Sequence, residues 1–238
     1  MRTERFTVNG LEVTAQFDPR DIDHIYIPLL HNLSDLQKRL GRRIVCFLAG
    51  PPASGKSTLC LFLERLGRDL GMNVQSAGID GFHYPQDYLN AHTLGDTPLA
   101  KIKGAPETFD VEGLRVALCA LRDGKSVSWP LYDRRLHDVV ENALYASAPI
   151  LLVEGNWLLR DAPAWQGLPH DWAIFLSAEE SQLRERLIAR KMRGGRTEAE
   201  ARAFYDACDG PNVRLCLQRR LPADEQWRML DTGRFARE

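Results

Sequence analysis

Gly50-Pro51-Pro52-Ala53-Ser54-Gly55-Lys56-Ser57, followed at once by Thr58, brings two glycines, a lysine and neighbouring hydroxyls into one short run. Glycine lets backbone N–H groups turn inward around an anion where a side chain would block them. A lysine directly after the second glycine adds a mobile positive charge. The hydroxyl after it is a hard-oxygen ligand suited to a small divalent cation. The run fits the phosphate-loop pattern, and its flanks supply the context that pattern needs. Ile44 to Ala49 is an apolar run of strand length, while Leu59, Leu61, Phe62, Leu63, Leu66 and Leu70 continue at helical spacing. Strand, glycine loop and helix put the positive end of a helix at the phosphate. A glycine-rich turn that binds nothing has no need of that order. The expected ligand is a nucleoside triphosphate, with Gly50 to Thr58 around its phosphates, Lys56 on the β- and γ-phosphates and Ser57 on Mg²⁺.

Two carboxylates stand where they could complete such a site. Asn73 to Ile79 reads as a strand ending at Asp80, and Pro149 to Val153 as a buried strand ending at Glu154. Open parallel sheets bind ligands beyond the C-terminal ends of their strands, the edge a phosphate loop also occupies. Glu154 is therefore expected beside Mg²⁺, a place more often filled by Asp. Asp80 is expected to be the general base for an acceptor hydroxyl, its plainer alternative being a turn or helix-cap aspartate.

A third group is cationic. On a helix from Glu179 to Arg193, Arg186, Arg190 and Arg193 fall within roughly a 60° arc at about 100° per residue. Beside Gly194-Gly195 they read as a lid closing on a transferring phosphate, against a solvated basic face as the bland alternative. Arg134, Arg135 and His137 lie in Trp129 to Asp138, which reads as a loop. They suit an anionic or polyhydroxyl acceptor, and a solvated surface loop fits equally well.

These residues must be held by ordered elements. Residues 1 to 17 read as a hairpin turning at Asn9-Gly10. Asp18-Pro19 starts a helix whose face is Ile22, Ile25, Leu29, Leu30, Leu33, Leu36 and Leu40, broken or kinked near Pro28. This front end, 1–41, is expected to pack on a nucleotide-binding domain spanning 42–238, with a lid at about 184–200. From Gln86 to Asp110 the chain is irregular and carries Lys101 and Lys103; a loop this long inside a compact domain is usually functional. Asp110 caps a helix through Leu121, and Val127 and Trp129 suggest a short strand. Trp172 to Leu176 is a further buried strand. Thr197 starts a helix reaching Tyr205, Asp209 to Asn212 reads as a break before another helix, and Trp227 to Leu230 supplies a last strand. The expected fold is α/β in three layers, with a mostly parallel five-stranded core sheet and a helical lid.

Composition narrows the function classes. The chain has 238 residues, 44% hydrophobic and 26% charged, enough for one α/β domain with a full core. A net charge of -1 gives no global pull toward nucleic acid or anionic membrane. No apolar run approaches the ~20 residues of a membrane span, and Met1 to Phe6 lacks the apolar stretch of a secretory signal. Five cysteines with no Cys-x-x-Cys pair read as buried thiols in a reducing cytoplasm.

Taken together, these segments resemble the superfamily of uridine kinases, phosphoribulokinases and bacterial pantothenate kinases, from about residue 42 onward. Gly50 to Thr58 is similar to its phosphate loop, and Ile79 to Pro85 to the segment bearing its catalytic Asp. Lys103 to Asp110 resembles its acceptor-side loop, Trp129 to Arg134 its Pro-x-Tyr segment, and Val153 to Leu159 its Glu-Gly motif. Arg184 to Arg193 resembles its arginine-bearing lid. The combination is also similar to a bacterial branch of uncharacterised nucleoside- or pantothenate kinase-like proteins, which shares the hairpin-and-helix front end, the run Glu185 to Gly195 and Asp209 to Asn212. The resemblance implies ATP and Mg²⁺ as cofactors and a small hydroxyl compound (a nucleoside, a sugar or a pantothenate-like acid) as acceptor. Asp80, Lys56, Arg186 and Arg190 are then the catalytic groups, and Arg193 joins the loop in binding nucleotide. Asp80, Phe82, His83, Tyr84, Lys103, Tyr132, Arg134, His137 and Asn156 would bind the acceptor, with Ser57 and Glu154 at the metal. The competing reading is a nucleotide-dependent switch acting on a protein partner. Against it, no Asn-Lys-x-Asp guanine-reading motif occurs, and the long loop from Thr93 to Phe109 has no use in a simple switch.

Overall fold

The computed structural model of the chain describes residues 1–238. The chain opens on a hairpin, β1 (Arg2–Val8) and β2 (Leu11–Phe17). Its turn residues Asn9 and Gly10 have φ of 49° and 81°, the left-handed pair a tight two-residue hairpin requires. Next come α1 (Pro19–Asp21), a π turn (Ile22–Tyr26) and α2 (Ile27–Leu40), which form one unbroken helical segment. The interruption expected near Pro28 takes the form of that π turn: the α pattern gives way over Ile22–Tyr26 while the helical path continues, and the wider turn makes room for a ring that has no N–H to donate.

The nucleotide core follows: β3 (Ile44–Ala49), α3 (Lys56–Asp69) and β4 (Val74–Gly78). A one-turn segment (Ile79–Phe82) leads to α4 (Gln86–Ala91), the short pair β5 (Thr93–Leu94) and β6 (Thr97–Pro98), and α5 (Val111–Arg122). Then come β7 (Val127–Asp133), β8 (Asp138–Ala146), β9 (Ile150–Gly155) and β10 (Trp172–Ser177). The chain ends through α6 (Glu180–Arg193), α7 (Glu198–Phe204), a second π turn (Tyr205–Asp209), α8 (Gly210–Gln218), β11 (Glu225–Met229) and β12 (Phe235–Arg237).

The main sheet has the order β12-β11-β10-β3-β9-β4. Strands β4, β9, β3, β10 and β11 are mutually parallel, so all five expected strands are present. A sixth, β12, is added antiparallel on the β11 edge. Central β3 is buried along its whole length, the reason its sequence is a continuous apolar run rather than an alternating one. Ile44, Cys46 and Leu48 point into one apolar cluster with α2, α3, α6 and the hairpin. Val45, Phe47 and Ala49 point into the other, with α5 and Trp129, Trp157 and Trp165. That gives three layers.

Two loops expected from the sequence are regular structure instead. The run from Trp129 to Asp138 is mostly strand: β7 continues through Asp133, β8 begins at Asp138, and only 134–137 form the turn. Pro130, which has no N–H to donate, falls where the ladder shifts register between Trp129 and Leu131. Asp209 to Asn212 does not break the chain either, since the second π turn runs straight into α8 with Pro211 in its first turn.

The front end is tied to the core at both ends of the chain. Phe17 stacks on Phe62 of α3 with ring centroids 3.6 Å apart, and Arg2 pairs with Asp69 at 2.7 Å. Asp21, only 2% exposed, accepts from Arg234 Nη2 at 2.7 Å and Nε at 2.9 Å, and from the Phe235 amide at 3.1 Å. Removing one partner of a buried pair costs more than the pair contributes, because the other charge stays behind. Arg234 keeps part of its hydration, which tempers the loss. Asp21→Ala is therefore expected to destabilise by about 2 kcal/mol, read as a lower urea midpoint at unchanged slope.

Candidate active site

The phosphate loop leaves β3 pressed against β10: a Cβ on Gly50 would lie 2.4 Å from the Leu176 carbonyl oxygen. Ala53 (φ 65°) and Gly55 (φ 92°) then turn the chain left-handed, and Gly55 caps the N-terminus of α3. This curvature aims successive amides at one point, an anion nest at a helix N-terminus. Lys56 is only 5% exposed, and its Nζ donates to the Pro51 carbonyl at 2.8 Å. Burial pulls its pKa below the ordinary lysine value, and the negative charge of Glu154 opposes that fall.

Glu154 lies within β9, one residue before its end, and is 8% exposed. Ser57 Oγ donates to Glu154 Oε1 at 2.7 Å. A Cβ on Gly78 would come within 3.1 Å of that same oxygen, so the bare backbone of β4 makes room for the carboxylate. Both donors are hard oxygens suited to a small divalent cation. Burial, and then the charge of Asp80, push the Glu154 carboxyl up from an ordinary value of 4.5 to about 7, with Lys56 opposing. A group with a raised folded pKa contributes stability that is fully present below its unfolded pKa and lost as pH rises through the folded one. The nucleotide-free protein should thus lose stability between about pH 5 and 8 through Glu154. Glu154→Gln should raise the thermal midpoint relative to the parent at pH 8 and give no such gain near pH 4.5. A midpoint difference independent of pH would refute this.

On the acceptor side, Asp80 follows β4 in the turn Ile79–Phe82. That turn crosses β7 so closely that a Cβ on Gly81 would sit 2.0 Å from the Pro130 oxygen. Trp129 Nε1 donates to the Gly78 carbonyl at 2.9 Å and steadies the same crossing. Phe82 meets Trp129 edge-on at 4.8 Å in the core and so supports the turn from beneath. His83 Nδ1 lies 2.8 Å from the Asp80 carbonyl, its ring is 3.8 Å from Phe109 and 5.6 Å from Tyr132, and its Nε2 is buried with no partner. Burial holds the His83 ring below its ordinary pKa, with the Asp80 charge opposing. Tyr84 stacks on Tyr88 of α4 at 4.3 Å.

Lys103 Nζ donates to Gln86 Oε1 and to the His137 carbonyl, each at 2.9 Å, and lies 4.9 Å from the Tyr132 ring. It thereby pins the 93–109 segment to the β7–β8 hairpin. Lys101 and the His137 side chain are exposed, and Arg135 is taken up by Asp133 at 2.9 Å. Arg134 is half-buried, and its positive charge reaches Glu154, His83, Tyr132 and Arg190. Asn156 follows β9, with its carbonyl engaged by Cys216 Sγ at 3.0 Å.

The α6 arginines divide by turn. A Cβ on Gly55 would lie 3.9 Å from Arg186 Nη2, so this guanidinium reaches the phosphate loop. Arg190 is half-buried; its pKa is lowered by burial and then by Arg134, with Asp209 and Asp80 opposing. It lies close enough to Asp80 for that charge to act on it. Arg193, in the last turn, is exposed. Lys191 packs on Phe204 at 3.7 Å, and the Thr197–Glu200 capping box starts the next helix beside it.

The sequence carried no signal for one contact at the centre of this cleft. Asn9 Nδ2, at the tip of the front hairpin, donates to Asp80 Oδ2 at 3.1 Å. Asn9-Gly10 is legible as a turn, but nothing in the chain order tells that the turn lands on Asp80.

No protein-family model matches the chain. It is 44% identical over 235 residues to an uncharacterised protein, YggC, of Escherichia coli, with 96% of each chain covered. It is 31% identical to a putative uridine kinase of Schizosaccharomyces pombe, over 84% of this chain and 88% of that one. Among solved structures, a putative fructose transport system kinase from Silicibacter superposes with a TM-score of 0.73 at 33% identity, covering 82% of this chain and 98% of that one. The chain belongs to the P-loop kinase superfamily that includes the uridine kinases, phosphoribulokinases and pantothenate kinases. It is a small-molecule kinase, transferring phosphate to a hydroxyl. No helix is long and apolar enough to cross a membrane.

Proposed function

We propose that the chain transfers the γ-phosphate of ATP to a hydroxyl of a small polar metabolite, with Asp80 as the base. The observation that carries this reading is the convergence at one sheet edge of an anion nest (Gly50–Ser57), the Ser57–Glu154 pair 2.7 Å apart, and Asp80 after β4. Donor, metal and acceptor functions each find a separate group there. The donor set fits Mg²⁺: a hydroxyl and a carboxylate side by side, the carboxylate opposed by burial and by Asp80 until a cation sits against it. When bound, Mg²⁺ would neutralise charge on the β- and γ-phosphate oxygens.

The protein's own residues do the rest. The loop amides and Lys56 hold the β- and γ-phosphates. Asp80 accepts the proton of the acceptor hydroxyl as its oxygen bonds to the γ-phosphorus and the bond to the ADP oxygen breaks. Arg186, beside the loop, and Arg190, near Asp80, neutralise charge on the group in transit, and closure of α6 and α7 keeps water out. Arg134, Tyr132 and His83 line the acceptor half. Their mixture of cation and aromatic suits a compact polyhydroxyl compound or one bearing an anionic group.

ADP release should be measured with uridine, pantothenate and D-fructose supplied separately, with Lys56→Ala as background. Turnover raised by one of them supports the reading. Tight ATP binding with no acceptor-dependent ADP release would refute it, and release stimulated only by a protein would favour the switch.

A further inference from the structure

We propose that Asn9 is a positioning residue for Asp80, and that the front hairpin exists to deliver it. The proposal rests on Asp80 being the base. Asn9 Nδ2 donates to Asp80 Oδ2 at 3.1 Å, leaving Oδ1 for an acceptor hydroxyl. A neutral amide is the donor such a base needs. It fixes the carboxylate's rotation without the full charge of a Lys or Arg, which would depress its basicity.

The scaffold behind Asn9 is rigid and two-sided. On the donor side, Phe17 stacks on Phe62 of α3 at 3.6 Å, and Arg65 of the same helix pairs with Glu4. On the acceptor side, the Arg134 amide donates to the Asn9 carbonyl at 3.1 Å, and a Cβ on Gly10 would meet Asp133 Oδ1 at 2.7 Å. The tip is therefore wedged between Asp80 and the turn that carries Arg134. It links the helix that opens at the phosphate loop to the hairpin that lines the acceptor half. A cap serving stability alone would have no reason to spend its tip side chain on that one carboxylate.

Asn9→Gly is the cleanest variant, because glycine keeps the left-handed φ of 49° and removes only the amide. Asn9→Asp also keeps the turn and sets a second carboxylate against Asp80. Turnover is followed as ADP release with uridine, pantothenate and D-fructose supplied together, so that hydrolysis to water is counted with transfer. Asn9→Gly should lower kcat roughly ten- to hundredfold while KM for ATP stays within about twofold, with Asn9→Asp lower still. In the intact ¹⁵N-labelled protein, the Asn9 side-chain amide, assigned by its loss in Asn9→Gly, should exchange with solvent about tenfold faster once Asp80 is replaced by Ala.

Wild-type kcat in Asn9→Gly would overturn the proposal. So would a loss confined to KM for ATP, or an Asn9 amide exchanging equally with and without Asp80. Asp80→Asn, run in parallel, separates the two readings. If it keeps full ADP release, the base assignment fails; if it is inactive while Asn9→Gly is not, only the positioning role fails.

Discussion

Asp80→Asn is expected to bind ATP with native affinity and to lose transfer by roughly 10²- to 10⁴-fold, the range a positioned general base supplies. The substitution preserves shape and can still receive a hydrogen bond from Asn9, so the hairpin tip stays docked. What disappears is the proton acceptor, and with it the negative charge that, after burial, raises the Glu154 pKa. Metal affinity should therefore hold or improve while kcat falls. Calorimetric ATP titration with Mg²⁺, paired with single-turnover ADP release, reads the two effects separately. Native transfer in this variant would remove Asp80 from the chemistry.

Lys56→Ala should be more damaging, lowering kcat by roughly 10³-fold and weakening ATP by about tenfold or more. Lys56 is buried against the loop and close enough to Glu154 and Asp80 to feel both charges. Its ammonium is the one mobile cation enclosed by the nest, whereas Arg186 and Arg190 approach from α6. Lys56→Arg should not rescue, because a planar guanidinium does not fit a cavity shaped for a point charge. Turnover within tenfold of the parent would mean that the lid arginines carry the phosphates alone. Unchanged circular dichroism separates this loss from misfolding.

The donor half was legible because it is local. Strand, loop and helix from Ile44 to Leu66 are contiguous, and their chemistry follows from residue types at fixed spacing. Asp80 and Glu154 were found by a topological rule, the common C-terminal edge of parallel strands. The acceptor half was not legible, because its geometry comes from contacts between distant segments. Arg134 looked like part of a charged loop; the strand pairing of β7 with β8 withdraws Arg135 and His137 and leaves Arg134 half-buried. Phe82, two residues after Asp80, reads in the sequence as a ligand contact; its edge-on packing on Trp129 ties it to the core as well. Both prolines read as helix interruptions are absorbed by π turns, which have no sequence signature as clear as the proline itself. β12 is too short to announce itself by alternation.

The buried pairing of Asp21 with Arg234 joins segments 213 positions apart. Ribosomes add about 5–20 residues per second, so the partner arrives roughly 10 to 40 s after the carboxylate. Tyr26, 6.0 Å from Trp227, waits equally long. During synthesis the front helix therefore carries an uncovered apolar face and an uncompensated charge, a natural target for a chaperone that shields nascent chains. The hairpin before it does not wait, since its partners Phe62, Arg65, Asp80 and Arg134 all come much earlier in the chain. The helix face, and not the hairpin tip at Asp80, is therefore the part of the front end that stays open until Trp227 and Arg234 arrive.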